Sequence, residues 1–395
     1  MYQEQVDFDD TDEEQAPTPN ENVFSDVVVY GTDWTTETIL SQLEKGNIQL
    51  SPRFQRRDAW DCSKKSRFVE SLFLGLPVPQ IVLAEKQGER GTYIVLDGKQ
   101  RLLSLLQFIG KAKGKNNGFS LKGLSILEKL EGASFQKINS EPEFSGWVNA
   151  FNNQPMRSVI LKNWVDVKLL HIVFVRLNTG SVALSPQELR QALYPGGFSD
   201  FVDDQASNSN SLRKLLKNKE PDFRMRDVEI LVRYIAFRNF LTEYSGDMRM
   251  FLDYTCEKLN NDWQIENELV LNQVEEFEQA AEAAIQIFGI DDVARRPSDQ
   301  GKRRGFNRAI FDVIIYYLSQ PNIRSSSLDN SIAVKSAFSE LWQESLDFTR
   351  SVELSTKSLF ATSSRLILWG EKLKSVLGID ISIPIFDGHT NRIKV

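Results

Sequence analysis

Ile94-Val95-Leu96-Asp97-Gly98-Lys99-Gln100-Arg101 is the stretch on which the reading of this chain turns. Tyr93 to Leu96 is an apolar run of mostly β-forming residues, short enough for a buried strand. Asp97-Gly98 ends it, because Gly supplies backbone freedom that other residues lack. Beyond Arg101, the residues Leu102, Leu103, Leu105, Leu106 and Phe108 recur at helical spacing. Lys99, Gln100 and Arg101 therefore stand where a strand gives way to a helix. First-turn amides have no intrahelical partner and the helix dipole is positive there. With Lys99 and Arg101 added, the turn suits an anion, most simply a phosphate. The plain alternative is a turn whose charges are only solvated, and the turn taken alone favours that alternative.

Working outward, 395 residues predict two or three domains with real cores. The composition, 41% apolar and 26% charged, is that of a soluble globular protein. Cys62 and Cys256 lie far apart with no signal peptide, so they read as a reduced cytoplasmic pair without a zinc framework. His171 and His389 are the only histidines, which argues against a histidine-rich metal site. No apolar run reaches the roughly 18 residues of a membrane span. A net charge of −7 confines any polyanion contact to a local patch.

Residues 1–25 are acidic, with Glu4, Asp7, Asp9, Asp10, Asp12, Glu13 and Glu14 ahead of the first lysine, Lys45. With Pro17 and Pro19 they predict a disordered tail. From Val27 the pattern becomes compact. A strand over 27–30 leads to a helix from Thr35 that stops at Gly46. A helix over 63–74 follows, with Ser63 as its cap and Gly75 as its stop. Strands over 80–85 and 92–96 then return to the opening turn. Residues 119–165 read as short elements, including a helix over 125–130, that cover the sheet. The apolar run 165–175 predicts a strand, with His171 as a core histidine. Ser185-Pro186 starts a helix in which Glu188 completes a capping box.

Four blocks now occur in order. They are Pro52-x-Phe54-Gln55-Arg56-x-x-x-Trp60, then Ser66-Arg67-x-x-Glu70-Ser71-Leu72-x-x-Gly75-x-Pro77-x-Pro79, then Asp97-Gly98-Lys99-Gln100-Arg101-Leu102. The last is Phe174-x-Arg176-Leu177-Asn178-Thr179-Gly180, continuing into Leu184-Ser185-Pro186-Gln187-Glu188-Leu189-Arg190. Together they resemble the N-terminal domain family of the GmrSD modification-dependent restriction enzymes. The resemblance covers about residues 27–195 and implies a fold similar to ParB and sulfiredoxin. Lys99 departs from the family's usual DGQQR motif. A cation there still favours phosphate, but it puts the hydrogen-bond pattern in doubt.

The resemblance implies a nucleoside triphosphate as ligand and a role in antiphage restriction. Asp97, Gln100 and Arg101 would be catalytic. Gln55, Arg56, Gly98, Lys99, Asn178, Thr179 and Arg190 would line the nucleotide, and Asp97 would hold Mg²⁺ or orient a water. Trp60 either packs in the core or stacks on a base. No Walker A pattern is present, so a P-loop NTPase is not expected. A nucleotide-gated switch competes with true hydrolysis.

From about Phe198 the periodicity is helical throughout. The expected fold class is α+β, with tail 1–25, a ParB/sulfiredoxin-like small mixed sheet with helices over 26–197, and an all-α domain over 198–395. Arg303, Arg304 and Arg308 form a basic cluster suited to a nucleic-acid backbone, with a solvated loop as the alternative. No HNH-like array of Cys and His is visible, so nuclease activity is not expected from this chain. The readings are a nucleotide-binding sensor of a defence system, a non-enzymatic partner or neutraliser of a co-encoded nuclease, and a DNA-binding protein of ParB type. An oligomer fits each of them. The expected compartment is the cytoplasm.

Overall fold

A computed structural model describes residues 26–50, 59–112, 117–177, 185–297, 305–353 and 358–395. The chain divides into two compact units between Leu193 and Tyr194.

The first unit is built on a mixed five-stranded sheet. Its strands are β1 (Val28–Thr35), β2 (Ile48–Gln49), β3 (Ile81–Glu85), β4 (Tyr93–Asp97) and β5 (Pro155–Lys162), in the order β1-β5-β3-β4-β2. The β1–β5 and β3–β4 pairs are antiparallel, whereas β3–β5 and β2–β4 are parallel. Side chains alternate between the two faces of a strand, and both faces of β3 and β4 are buried. Ile81, Leu83, Val95 and Ile160 face one core together with α1 (Thr36–Glu44), α2 (Cys62–Phe73), α3 (Lys99–Phe108) and α5 (Ser145–Asn153). Val82, Ala84, Leu96 and Leu161 face the other core with α6 (Val167–Leu177) and α7 (Pro186–Leu193). This explains why 81–84 and 93–96 read as unbroken apolar runs. The short α4 (Phe135–Ser140) contributes Ile138 to the first core.

Several sequence expectations are corrected. Residues 167–177 are helical rather than extended. Leu169, Leu170 and Phe174 share the stripe that packs on the sheet, so tertiary packing overrides the β-branched composition. Residues 155–162, expected as part of an insertion over the sheet, form β5 within it. Its alternation is masked by Ser158, a polar residue at a buried position. The cap of α2 is Asp61, whose carboxylate accepts from Lys64 N at 2.7 Å, not Ser63. The helix expected over 125–130 shrinks to one 3₁₀ turn, Glu128–Leu130. The preceding backbone is held otherwise. Buried Glu70 accepts from Ser125 N at 3.1 Å, Ile126 N at 2.7 Å and Leu127 N at 2.8 Å. His171 lies in α6, buried.

The second unit is helical from α8 (Gly197–Asn208) through α9 (Asn210–Leu215), α10 (Arg226–Phe240), α11 (Met248–Asn261), α12 (Trp263–Phe288), α13 (Arg308–Leu318), α14 (Pro321–Asp329), α15 (Ser331–Glu344) and α16 (Leu346–Glu353) to α17 (Leu359–Leu377). A small hairpin, β6 (Ile385–Asp387) and β7 (Arg392–Lys394), follows and adds strands to what reads as all-α in sequence. A buried ionic cluster ties α10 to α13. Arg233 binds Asp312 through Nε and Nη2, and Arg308 Nε lies 2.9 Å from Glu229 Oε1. Among the described residues, no helix is long and apolar enough to cross a membrane.

Burial alone would raise the Glu70 carboxyl, but the three backbone donors outweigh it and hold the group below its ordinary value. Glu70→Gln is expected to lower stability by about 2 kcal/mol, read as a drop in urea midpoint. Because the folded value is depressed, the carboxylate's contribution is complete above about pH 4.3 and is lost as pH falls through the folded value. The gap between wild type and variant should therefore close in acid. A gap that persists below that range would show that the charge plays no part.

Candidate functional site

The site begins with the backbone. Gly98 has φ +97°, and a Cβ there would sit 2.6 Å from Ile81 Cγ2. Only glycine fits this left-handed turn against β3. Gly98 is also the N-cap of α3 and has no side chain of its own to cap that helix. The first-turn amides are those of Lys99, Gln100 and Arg101.

The three polar side chains of that turn are all buried, and each has an internal partner. Lys99 Nζ donates to Glu188 Oε1. Gln100 Oε1 accepts from Ala59 N at 3.3 Å. Arg101 Nη2 donates to Asp97 Oδ2 and to the carbonyl of Gln80, both at 2.9 Å. Arg101 Nε is buried without a hydrogen-bond partner among the described residues. Asp97 is the most open of these ionic groups, with its side chain 21% exposed.

Glu188 belongs to α7, where the capping box forms as the sequence indicates. Glu188 Oε2 accepts from Ser185 N at 2.7 Å, and Glu188 N donates to Ser185 Oγ at 3.1 Å. On the same helix, Arg190 Nη1 donates to Gln187 Oε1 at 2.5 Å, and both side chains are buried. The structure thus brings Asp97, Gly98, Lys99, Gln100 and Arg101 together and links the turn to α7. Beside this turn, Trp60 packs its ring edge-on to Phe68 at 5.8 Å, and Lys64 Nζ lies 5.0 Å from the Trp60 ring centre.

Gln55, Arg56, Asn178 and Thr179 lie outside the described residues, as do Arg303 and Arg304. Arg308 belongs to the second unit, where it is buried with its guanidinium on Glu229. Among the described residues, no group of three or more His, Cys, Asp or Glu side chains is placed to hold a metal ion. A lone Asp97 suits Mg²⁺ only where phosphate oxygens complete the shell. Sequence reasoning misses two contacts. Glu188 reads as a cap and a candidate wall of the site, but its pairing with Lys99 across 89 positions has no local signal. Gln80 contributes only its carbonyl, which no side-chain motif reveals.

The family described as GmrSD restriction endonuclease, N-terminal domain, matches residues 36–195. No curated protein and no solved structure matches the chain. The matched stretch runs from α1 through α7, so it contains the whole Asp97–Arg101 turn and its partner helix. The match agrees with the family that the motifs resemble, over this part of the chain.

Gly98→Ala is expected to destabilise the protein by roughly 2 kcal/mol or more, since it combines positive-φ strain with a clash against Ile81. Thermal melting measures this, and an unchanged midpoint would contradict the close-packed turn.

Proposed function

Taking residues 36–195 as a domain of the GmrSD N-terminal type, we propose that this chain is a nucleotide-binding regulatory protein of a restriction-type defence system. The observation that carries the reading is the N-terminus of α3, where glycine stands at the N-cap and the side chains of Arg101 and Lys99 lie in the first turn. Backbone amides and the helix dipole favour an anion at such a place. A planar guanidinium beside them suits phosphate oxygens.

The roles divide as follows. The α3 amides and Arg101 hold phosphate, and Gly98 lets the backbone approach closely. Gln100 fixes the chain entering from Ala59. Gln55, Arg56, Asn178 and Thr179 belong to the proposed walls on the strength of the motifs alone. Arg190 braces α7 through Gln187. Were Mg²⁺ to accompany the nucleotide, Asp97 would supply its protein carboxylate, and the metal would offset phosphate charge.

Binding with slow turnover, or none, is favoured over efficient hydrolysis. Asp97 Oδ2 is engaged by Arg101, so that oxygen is not presented to a water. The proposed output is control of a partner, such as a co-encoded nuclease, rather than cleavage by these residues. DNA contact through the Arg303–Arg308 segment is not part of the proposal, because Arg308 already neutralises Glu229.

Titration with the four common ribonucleoside triphosphates, with and without Mg²⁺, tests this. Wild type is expected to bind at least one of them. Arg101→Ala should weaken binding roughly tenfold or more, as loss of a charge-assisted contact requires. Asp97→Ala should lower the benefit of Mg²⁺. Absence of binding by wild type would sink the reading.

A further inference from the structure

The sheet of the first unit has two edges, and they differ. β2 closes one side with only Ile48–Gln49, too short to offer much to a further strand. β1 closes the other side with the 8 residues Val28–Thr35, and β5 is its one neighbour in the sheet. The ladder runs from Val28↔Lys162 to Thr35↔Pro155 without a shift, so no bulge bends β1 away. Its sequence, Val-Val-Tyr-Gly-Thr-Asp-Trp-Thr, holds no proline and no lysine, the residues that commonly blunt an edge. Asp33 is its one charge, and Arg157 of β5 pairs with it at 3.2 Å.

The ladder also fixes which backbone groups face outward. In an antiparallel pair, alternate residues exchange hydrogen bonds with the neighbour, and the residues between them point their amides away. Thr36 N donates to the carbonyl of Gln154 at 3.0 Å, and that pair continues the β1–β5 register by one step. Trp34, Thr32 and Tyr30 therefore turn their amides toward β5, whereas Val29, Gly31 and Asp33 turn theirs outward. Pro155 opposite Thr35 agrees, because proline has no N–H to give. Among the described residues, no hydrogen bond reaches the backbone of Val29, Gly31 or Asp33. Val29 is 61% exposed, and Gly31 and Asp33 are exposed beside it. The Arg157 guanidinium lies where a Cβ on Gly31 would point, on the face of the strand and not along its edge.

The outward groups are symmetric about Gly31. A second β1, antiparallel and centred there, sets Val29 against Asp33, Gly31 against Gly31 and Asp33 against Val29. Each of these pairs exchanges both of its hydrogen bonds, so every outward amide and carbonyl from Val29 to Asp33 gains a partner. The two Asp33 carboxylates stand at opposite ends of the pairing, each beside its own Arg157. On the other face, Tyr30 meets Thr32. A two-fold axis through Gly31 closes the assembly at two copies. Pairing β1 on β2 of another copy would instead build an open fibre, and the 2 residues of β2 leave it little to hold.

We propose that β1 is a self-association edge, through which two copies of this chain join their sheets about Gly31. The proposal stands apart from the anion site. Val29 to Asp33 is a small contact beside the roughly 20–30 residues a side of a standard interface, so the dimer is weak and depends on concentration.

Sedimentation equilibrium of the full chain, from micromolar to hundreds of micromolar, tests this. Wild type is expected to pass from monomer to dimer and to stop there. Val29→Pro removes an outward N–H and no bond within the sheet, and it should raise the dimer dissociation constant roughly tenfold or more. Val29→Glu sets a carboxylate opposite Asp33 of the second copy and should raise that constant roughly fivefold or more. Val29→Lys sets an ammonium there and should dimerise at least as tightly as wild type. Circular dichroism checks the fold of each variant, and the Glu and Lys variants carry the test should Val29→Pro fail to fold.

A wild type that stays monomeric throughout overturns the proposal. A dimer untouched by a folded Val29→Pro does the same, because another surface then holds it. Equal weakening by Val29→Glu and Val29→Lys overturns it too, because Val29 then does not face Asp33. Growth beyond two copies contradicts the closed pairing.

Discussion

The buried ion pair between Lys99 and Glu188 is the contact on which the arrangement of the first unit's site depends. An ammonium and a carboxylate removed from water are tolerable only when each satisfies the other and further hydrogen bonds complete the set. Ser185 supplies that completion for Glu188. Removing one partner of such a pair leaves an uncompensated charge and costs about 3–5 kcal/mol. The pair therefore locks the strand–helix turn of β4 and α3 to the start of α7, which lie far apart in sequence. It also fixes the electrostatic character of the turn. Cations that look free in the sequence are matched by anions in the fold.

The sheet makes this possible. Because β3, β4 and β5 are covered on both faces, the turn after β4 emerges from a rigid layer. Ile81 presses on Gly98 from β3, and the carbonyl of Gln80 just before that strand holds Arg101. α3 is buried along its length, so packing holds its N-terminus, where Gly98 brings no capping side chain of its own. A rigid helix end is what a preorganised anion site requires. Glu70 performs a parallel structural task elsewhere in the unit, satisfying three amides of the 125–127 loop in place of a helix.

Much of this was legible in the sequence. The runs 81–85 and 93–97 are short, apolar and bounded by turn residues, so both strands and the turn between β4 and α3 could be read directly. Ser185, Pro186 and Glu188 encode their own capping box through local spacing. What could not be read depends on distant partners. The segment 167–177 is rich in β-branched and apolar residues, and only its packing on the sheet decides for a helix. β5 is hidden by Ser158, a polar residue at a buried position of the alternation that would mark it. The basic look of Asp97–Arg101 is local, whereas its neutralisation by Glu188 is set by tertiary structure. Likewise Arg308 reads as part of a polyanion patch, yet it lies buried on Glu229.

The central claim is that an anion docks at the N-terminus of α3. Hydrogen–deuterium exchange across the whole chain, with and without a nucleoside triphosphate, tests it most directly. Slowed exchange of the Lys99, Gln100 and Arg101 amides on ligand addition is the predicted result, since those groups would donate to phosphate. Protection that falls elsewhere, with the 99–101 amides unchanged by a ligand that demonstrably binds, would contradict the account.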